Sequence, residues 1–263
     1  MKRVFKRVLA TGDWHCGHQV GLSTPAYHTP TTSDHKFVKL ANVRRDVWNW
    51  FDKKITPWKP IDILILNGDA LDGKGDRSGG TEQITPDRKV QCDMGMAVIE
   101  FIDPSIVRML YGTPYHTGNG EDWEDILAEK AGAKIGSHEW YEINGKIFDC
   151  KHKLGSSQIP HGRLTPLARE ILWNKEWSFQ NNTPLADVLI RSHVHYYDQV
   201  DHDNCLGFSL PAMQGFGSKF GSRQCSGKVD IGFVIFDVSN NGEVKWKTER
   251  AEIAVLKAKA EKL

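Results

Sequence analysis

The sequence predicts an α/β fold, and two observations predict it. Short apolar, strand-like runs alternate with stretches of helical periodicity through the first half of the chain, and the apolar runs tend to end in an acid or a histidine. Alternation of this kind is the signature of strands wound in parallel with helices packed on them.

Taken in order, residues 4–10 read as a strand. Val43, Val47, Trp50, Phe51 and Ile55 recur at helical spacing and give a helix one apolar face. "IDILILNGD" (61–69) is a nearly continuous apolar run ending in Gly-Asp, as buried parallel strands are. Val90, Met94, Ala97, Val98, Phe101 and Ile102 mark a second helix face, and "IVRMLYGT" (106–113) a third strand. Asn119 or Gly120 then opens a helix through Glu121, Asp122, Trp123, Ile126 and Leu127, its early acids matched to the positive end of the helix dipole.

The second half is richer in strands. "KIFDCKH" and "ADVLIRSHVH" are strand-like and end in histidines. Between them Thr165-Pro166 reads as an N-cap followed by proline at the first helical position, with Leu167, Ala168, Ile171 and Leu172 as the buried face. "LGFSLPAM", "DIGFVIFDV" and "GEVKWKTER" read as later strands, Asn240-Asn241-Gly242 as a hairpin turn, and 254–263 as a short helix. Stretches 17–39 and 73–87 match no element, and long loops in a compact domain are often lids or rims of sites.

The 263 residues are 40% hydrophobic and 25% charged, an ordinary globular composition. No linker or repeat divides the chain, so a single domain over 1–263 is expected, with a core large enough to need no staple. A formal net charge of +1 gives no general affinity for polyanions. The cysteines at 16, 92, 150, 205 and 225 are scattered and odd in number, which argues for reduced thiols rather than a disulfide framework. No apolar run approaches the ~20 residues of a membrane span, and the basic start "MKRVFKRV" lacks a signal-peptide apolar region. A soluble, cytoplasmic protein without a membrane partner is the expectation.

The acids and histidines fall in one pattern. Asp13 and His15 follow the first strand, Asp69 the second, His116 the third; His152 ends "FDCKH", and His193 and His195 end "SHVH". The carboxyl ends of parallel strands share one edge of a sheet, where ligands bind in open α/β folds. Residues two apart in extended chain point the same way, so Asp13 with His15, and His193 with His195, can each line one site. Asp69 can bridge two cations. Carboxylate with imidazole suits Mn, Fe or Zn, and two such ions roughly 4 Å apart polarise a phosphoryl group and generate hydroxide near neutrality. A lone histidine at a strand end is ordinarily a hydrogen-bonded surface residue; a series of such motifs, each just after an apolar strand, is not.

"GDWH", "NGDALD", the "KH" of His152 and "SHVH", in this order from Asp13 to His195, resemble the calcineurin-like metallophosphoesterases. The resemblance implies a four-layer α/β/β/α sandwich with mixed sheets and a dinuclear site on its edge. It implies that Asp13, His15 and His195 hold a first metal, that Asp69 bridges, and that His152 and His193 hold a second; Asp72 more often supports such a site than binds. The third motif departs from the family's Gly-Asn-His-acid: the chain reads "GTPYHTGNG". Thr113 stands where the Asn ligand belongs, and His116 arrives late. Thr113 as a weak or water-mediated ligand, His116 as ligand or proton donor, and Asn119 as amide donor are the three repairs; His116 is favoured as the functional, catalytic histidine. The alternative is a plain turn at 112–114 and a loosely held second metal.

The expected reaction is attack of metal-bound hydroxide on phosphorus with His116 protonating the leaving oxygen. A phosphodiesterase or nuclease acting on nucleotide or nucleic acid leads; a phosphomonoesterase and a catalytically silent metal-binding module are the alternatives. His161, Arg163 and Arg191 are candidate phosphate contacts, Arg163 for its bidentate guanidinium. Trp14, Phe216 and Phe220 are candidate base-stacking aromatics, and "QGFGSKFGSRQ" a candidate contact loop. His18 and His28 are expected to be solvated. The sequence does not set the oligomeric state.

Overall fold

The computed structural model describes residues 3–28, 35–118, 120–157, 159–215, 229–251 and 260–262. Its strands are β1 (Phe5–Thr11), β2 (Ile63–Asn67), β3 (Ile106–Leu110), β4 (Lys134–Gly136), β5 (His138–Ile143), β6 (Lys146–Lys153), β7 (Val188–Ser192), β8 (Asp198–His202), β9 (Cys205–Ser209), β10 (Gly232–Ser239) and β11 (Val244–Arg250). Its helices are α1 (His35–Ile55), α2 (Arg88–Ile102), the single turn α3 (Pro114–Thr117), α4 (Trp123–Lys130) and α5 (Thr165–Phe179).

The strands form two mixed sheets, ordered β11-β10-β1-β2-β3-β4 and β5-β6-β7-β9-β8. β1 to β4 run parallel, as do β6, β7 and β9; β10, β11, β5 and β8 add antiparallel. Alternation along each strand sorts side chains between two cores. Leu9, Leu64 and Leu66 face outward and bury against Val47, Phe51, Met94, Val98 and Leu127 of α1, α2 and α4. Val8, Ala10 and Ile65 face inward and meet Phe148, Val188, Ile190 and Phe208 of the other sheet. On the far side, Ile171 of α5 packs on Leu189 and Cys205. The result is a four-layer α/β/β/α sandwich with mixed sheets, the architecture the motif order implies.

The expected helices and strands are present, with shifted ends. α1 begins at His35, so the first long loop is shorter than expected. α2 is capped by Asp87, whose side chain accepts from Lys89 N–H at 2.8 Å. α4 begins at Trp123 rather than near 119–120; Asn119 lies outside the described residues. α5 starts at Thr165 itself, with Leu164 before it and no side-chain cap, so Thr165 is not the N-cap. Leu172, expected on the buried face, is 57% exposed. The Asn240-Asn241-Gly242 turn closes the β10–β11 hairpin, Ser239 N–H donating to Glu243 O at 2.9 Å. Residues 252–259, most of the expected C-terminal helix, lie outside the described residues, as do Phe216, Phe220 and Cys225. Cys16, Cys92, Cys150 and Cys205 are free and buried. No described helix is long and apolar enough to cross a membrane.

Candidate metal centre

Five strands deliver the candidate ligands to one edge of the sandwich. β1 and β2 are parallel neighbours, so the turns that leave them run side by side: Asp13 N–H donates to Gly68 O (2.9 Å), His15 N–H to Asp69 O (3.0 Å) and Cys16 N–H to Ala70 O (2.9 Å). β3 brings Thr113 and His116 beside them, β6 carries His152, and β7 ends at Ser192, just before His193. Ten described non-glycine residues have left-handed backbones, and five are candidate ligands: Asp13 (φ 50°), His15 (47°), Asp69 (49°), His193 (77°) and His195 (56°). Each such conformation costs about 1–2 kcal/mol for an L-residue. Strain of this kind persists where the surrounding structure fixes it, and it concentrates at functional sites.

The donor atoms fall into three groups, each within 4.8 Å: Asp13, His15 and His195; His15, Asp69 and His116; Asp69, His152 and His193. His15 and Asp69 are each shared, which joins the groups into one chain of donors. Tautomers are set from behind. His15 Nδ1 lies 3.2 Å from Asp72 Oδ1, and His152 Nδ1 is 2.7 Å from Asn67 O, so each ring donates there and keeps the Nε2 lone pair for the pocket. His15 Nε2 is 3.2 Å from His195 Nε2, and His152 Nε2 is 3.0 Å from Asp69 Oδ2. Asp13 Oδ1 and His152 Nε2 are buried yet make no aligned hydrogen bond. Buried polar atoms left without an aligned partner are costly; here Asp13 belongs to the group with His15 and His195, and His152 to the group with Asp69 and His193. Carboxylate oxygens with imidazole nitrogens in this arrangement fit divalent transition-metal ions.

The charges reinforce one another. Burial pushes the Asp13 and Asp69 carboxyls up, but His195 beside the first and His152 beside the second hold both below the ordinary carboxylate range. Burial and the neighbouring His116 push His15 down to about 4, so its ring is neutral. Burial works against charge on His152 too, but Asp69 raises it to about 10. Without a cation, the acids thus draw protons onto His152 and His195.

A second ring of residues holds the loops. Asp72 spans three of them: its Oδ1 faces His15, its Oδ2 accepts from Gln83 Nε2 (2.5 Å), and its backbone O lies 2.8 Å from His116 Nδ1. Gln91 of α2 accepts from Gly73 N–H (2.9 Å) and donates to Gly73 O (2.8 Å) and Thr85 O (2.9 Å). Ile84 N–H also donates to Gly17 O at 2.6 Å, so the 73–87 loop is pinned beside the site. Glu124 of α4 is fully buried; its two oxygens accept from Ala70 N–H and Gly112 N–H, both at 2.7 Å, tying the β2 loop to the β3 loop. Burial and the charge of Asp69 push Glu124 up to about 8. Gly112 is required at that contact, since a Cβ there would sit 2.0 Å from Asp69 Oδ1.

Gln83, Gln91 and Glu124 escape sequence reading. Glu124 looks like an ordinary first-turn acid. Gln91 carried a usable signal, because it lies on the same helical stripe as Met94, Val98 and Ile102 and is therefore a polar side chain facing the core.

Thr113 sits against Asp69: its N–H donates to Oδ1 at 2.6 Å, and its hydroxyl lies 3.2 and 3.3 Å from the two oxygens. Arg163 lies over the Tyr196 ring at 3.9 Å, with Asp198 at 3.6 Å and Asp230 at 3.9 Å; His161 is exposed on the same loop. Arg191 does not reach the site. It is buried, and its guanidinium is committed to Asp149 and Glu170 (2.8 and 2.9 Å). Trp14 is core, its indole N–H donating to Thr11 Oγ1 at 3.0 Å. His18 is buried rather than solvated, because its segment pairs with Gln83; its Nδ1 accepts from Val20 N–H at 3.1 Å. His28 is partly buried, with Nε2 2.9 Å from Ser23 O.

No protein-family model matches the chain, and no curated protein matches it in sequence. Solved structures align over most of its length. They include Vps29 from Entamoeba histolytica complexed with Zn2+ (14% identity, 93% of this chain and 98% of that one, TM-score 0.42). An archaeal phosphodiesterase aligns with 14% identity, 92% and 99% coverage and a TM-score of 0.45. A predicted phosphoesterase from Streptococcus pneumoniae aligns with 10% identity, 95% and 99% coverage and a TM-score of 0.39. At such scores the likeness carries no weight beside the chain's own geometry. The chain itself is an α/β/β/α sandwich of two mixed sheets, with its acid and histidine motifs gathered at the strand ends into three groups that could hold metal ions.

Proposed function

We propose that the chain is a metal-dependent phosphoesterase, with phosphodiesters, including those of nucleotides or nucleic acids, as its leading substrate class. The observation that supports this reading is the run of donor groups joined through His15 and Asp69, held on strained backbone with their lone pairs turned inward. One ion would be held by Asp13, His15 and His195 and another by His152 and His193, with Asp69 between them. Mn, Fe or Zn bound there would supply Lewis-acid polarisation of a phosphoryl oxygen and a water-derived nucleophile at neutral pH.

The chain's own residues supply the rest. His116 is anchored through Nδ1 on the Asp72 carbonyl, which leaves Nε2 as the nitrogen free to take up a proton and pass it to the leaving oxygen. Asp72 keeps His15 and His116 in register. Arg163 offers a planar guanidinium beside the His195 loop, for a phosphate oxygen that competes with Asp198 and Asp230. His116→Ala is expected to lower diester turnover by about 10²–10³-fold while metal content, read by elemental analysis, stays at the wild-type value. Lost metal would instead make His116 a ligand.

A second reading has its own support. Thr113 spends its N–H and hydroxyl on Asp69 and offers no amide oxygen, which favours a weakly held second ion and a silent binding module. Turnover of bis-p-nitrophenyl phosphate against p-nitrophenyl phosphate with added Mn, together with metal stoichiometry, separates the readings. Faster diester turnover supports the proposal. Faster monoester turnover makes the chain a phosphomonoesterase, and no turnover with fewer than two ions bound makes it a silent module.

A further inference from the structure

Among the described residues, the largest group of exposed large apolar side chains lies on α5, on the outer side of the second sheet. Of the eleven large hydrophobic side chains exposed among the described residues, four are on this helix: Leu172 (57%), Trp173 (52%), Trp177 (47%) and Phe179 (87%); Leu164 and Leu185 flank its ends. Scattered single apolar residues are normal on a surface, whereas a contiguous patch of several hundred Å2 marks an interaction site. The opposite face of α5 is spent on the second sheet through Leu167 and Ile171, so the exposed stripe is not needed to hold the helix in place.

The charges on this stripe point to the occupant. Arg169 lies three residues before Leu172, and Glu176 three residues after Trp173. Both are exposed, and among the described residues neither makes an ion pair within the chain; the Glu176 carboxylate accepts from Gln180 Nε2, at 3.0 Å. The basic and acidic side chains are therefore disposed symmetrically about the Leu172–Trp173 pair. We propose that α5 is the interface of a two-fold dimer, packing antiparallel on α5 of a second copy of this chain. In that pairing Leu172 and Trp173 of both copies meet at the axis, and Arg169 of each copy faces Glu176 of the partner subunit. A self-complementary patch is what an isologous two-fold contact demands. Tryptophan at its centre, ringed by charge, is the usual composition of an interface hot spot. The proposal does not depend on the phosphoesterase reading.

Sedimentation velocity on the full chain tests it, with circular dichroism to confirm that each variant is folded. The wild type is expected to sediment as a reversible dimer at micromolar concentration. R169E and E176R, which each place like charges opposite one another twice, are expected to weaken dimerisation at least about tenfold. The double variant R169E/E176R restores the pairing in reverse and is expected to recover most of the loss, whereas W173A/W177A, which removes the centre, is expected to be monomeric. A monomeric wild type, a dimer indifferent to R169E and to W173A/W177A, or a double variant no better than its single parents would overturn the proposal.

Discussion

Asp69→Asn is expected to lower phosphodiester turnover by at least about 10³-fold with the fold intact. Asp69 is the one carboxylate common to two of the donor groups, and it lies between Thr113 on one side and His152 on the other. The amide is the same size. Its oxygen can keep the Thr113 N–H bond, while its NH2 turns toward His152 and offers no lone pair. What is lost is a negative charge that no other residue replaces, because Asp13 belongs to the other end of the donor chain. Thermal unfolding of the metal-free variant should fall below that of the wild type, since the change removes the charge that Asp69 sets 3.0 Å from His152. Metal stoichiometry should fall with activity. A variant that turns over diester at the wild-type rate would defeat the two-ion reading.

Glu124→Ala is expected to destabilise the protein by about 2–6 kcal/mol, the cost of leaving two buried N–H groups without acceptors at about 1–3 kcal/mol each. Ala70 and Gly112 lose their 2.7 Å bonds together, and Glu124 is fully buried, so the two N–H groups are left without their acceptor away from bulk solvent. The two loops that carry Asp69 and Thr113 then lose their shared anchor, so metal affinity should fall even under conditions where the variant remains folded. Glu124→Gln is expected to lie between the two, since its amide can accept from one N–H but sets a donor against the other. Urea denaturation of the metal-free proteins gives the stability difference, and Mn titration gives the affinity difference. An unchanged urea midpoint would show that Glu124 does not clamp the loops.

The parts of the fold legible in the sequence are those with a strong period. β1, β2 and β3 are short apolar runs buried on both faces, and α1 and α2 carry one apolar stripe each, so their type follows from pattern alone. β4, β5 and β8 were not legible because they are edge or near-edge strands: Lys134–Gly136 is three residues long, and Asp198–His202 presents mostly polar, partly exposed side chains. The candidate ligands were legible because each follows a strand that could be read. Their supports were not. Glu124 and Gln83 become meaningful only when folding brings distant turns together, and nothing local to either residue announces a buried partner. Leu172 misled for a related reason. Helical spacing predicts an apolar face turned inward, and α5 carries apolar residues on both faces, so period alone could not say which one the sheet covers.

The most direct test is a crystal structure of the protein soaked in Mn2+, with data collected for anomalous scattering. Two peaks are expected in one pocket. One should lie among Asp13 Oδ1, His15 Nε2 and His195 Nε2, and the other among Asp69, His152 Nε2 and His193. A saturating soak that leaves this pocket without an anomalous peak, or places Mn2+ only elsewhere on the surface, would contradict the account.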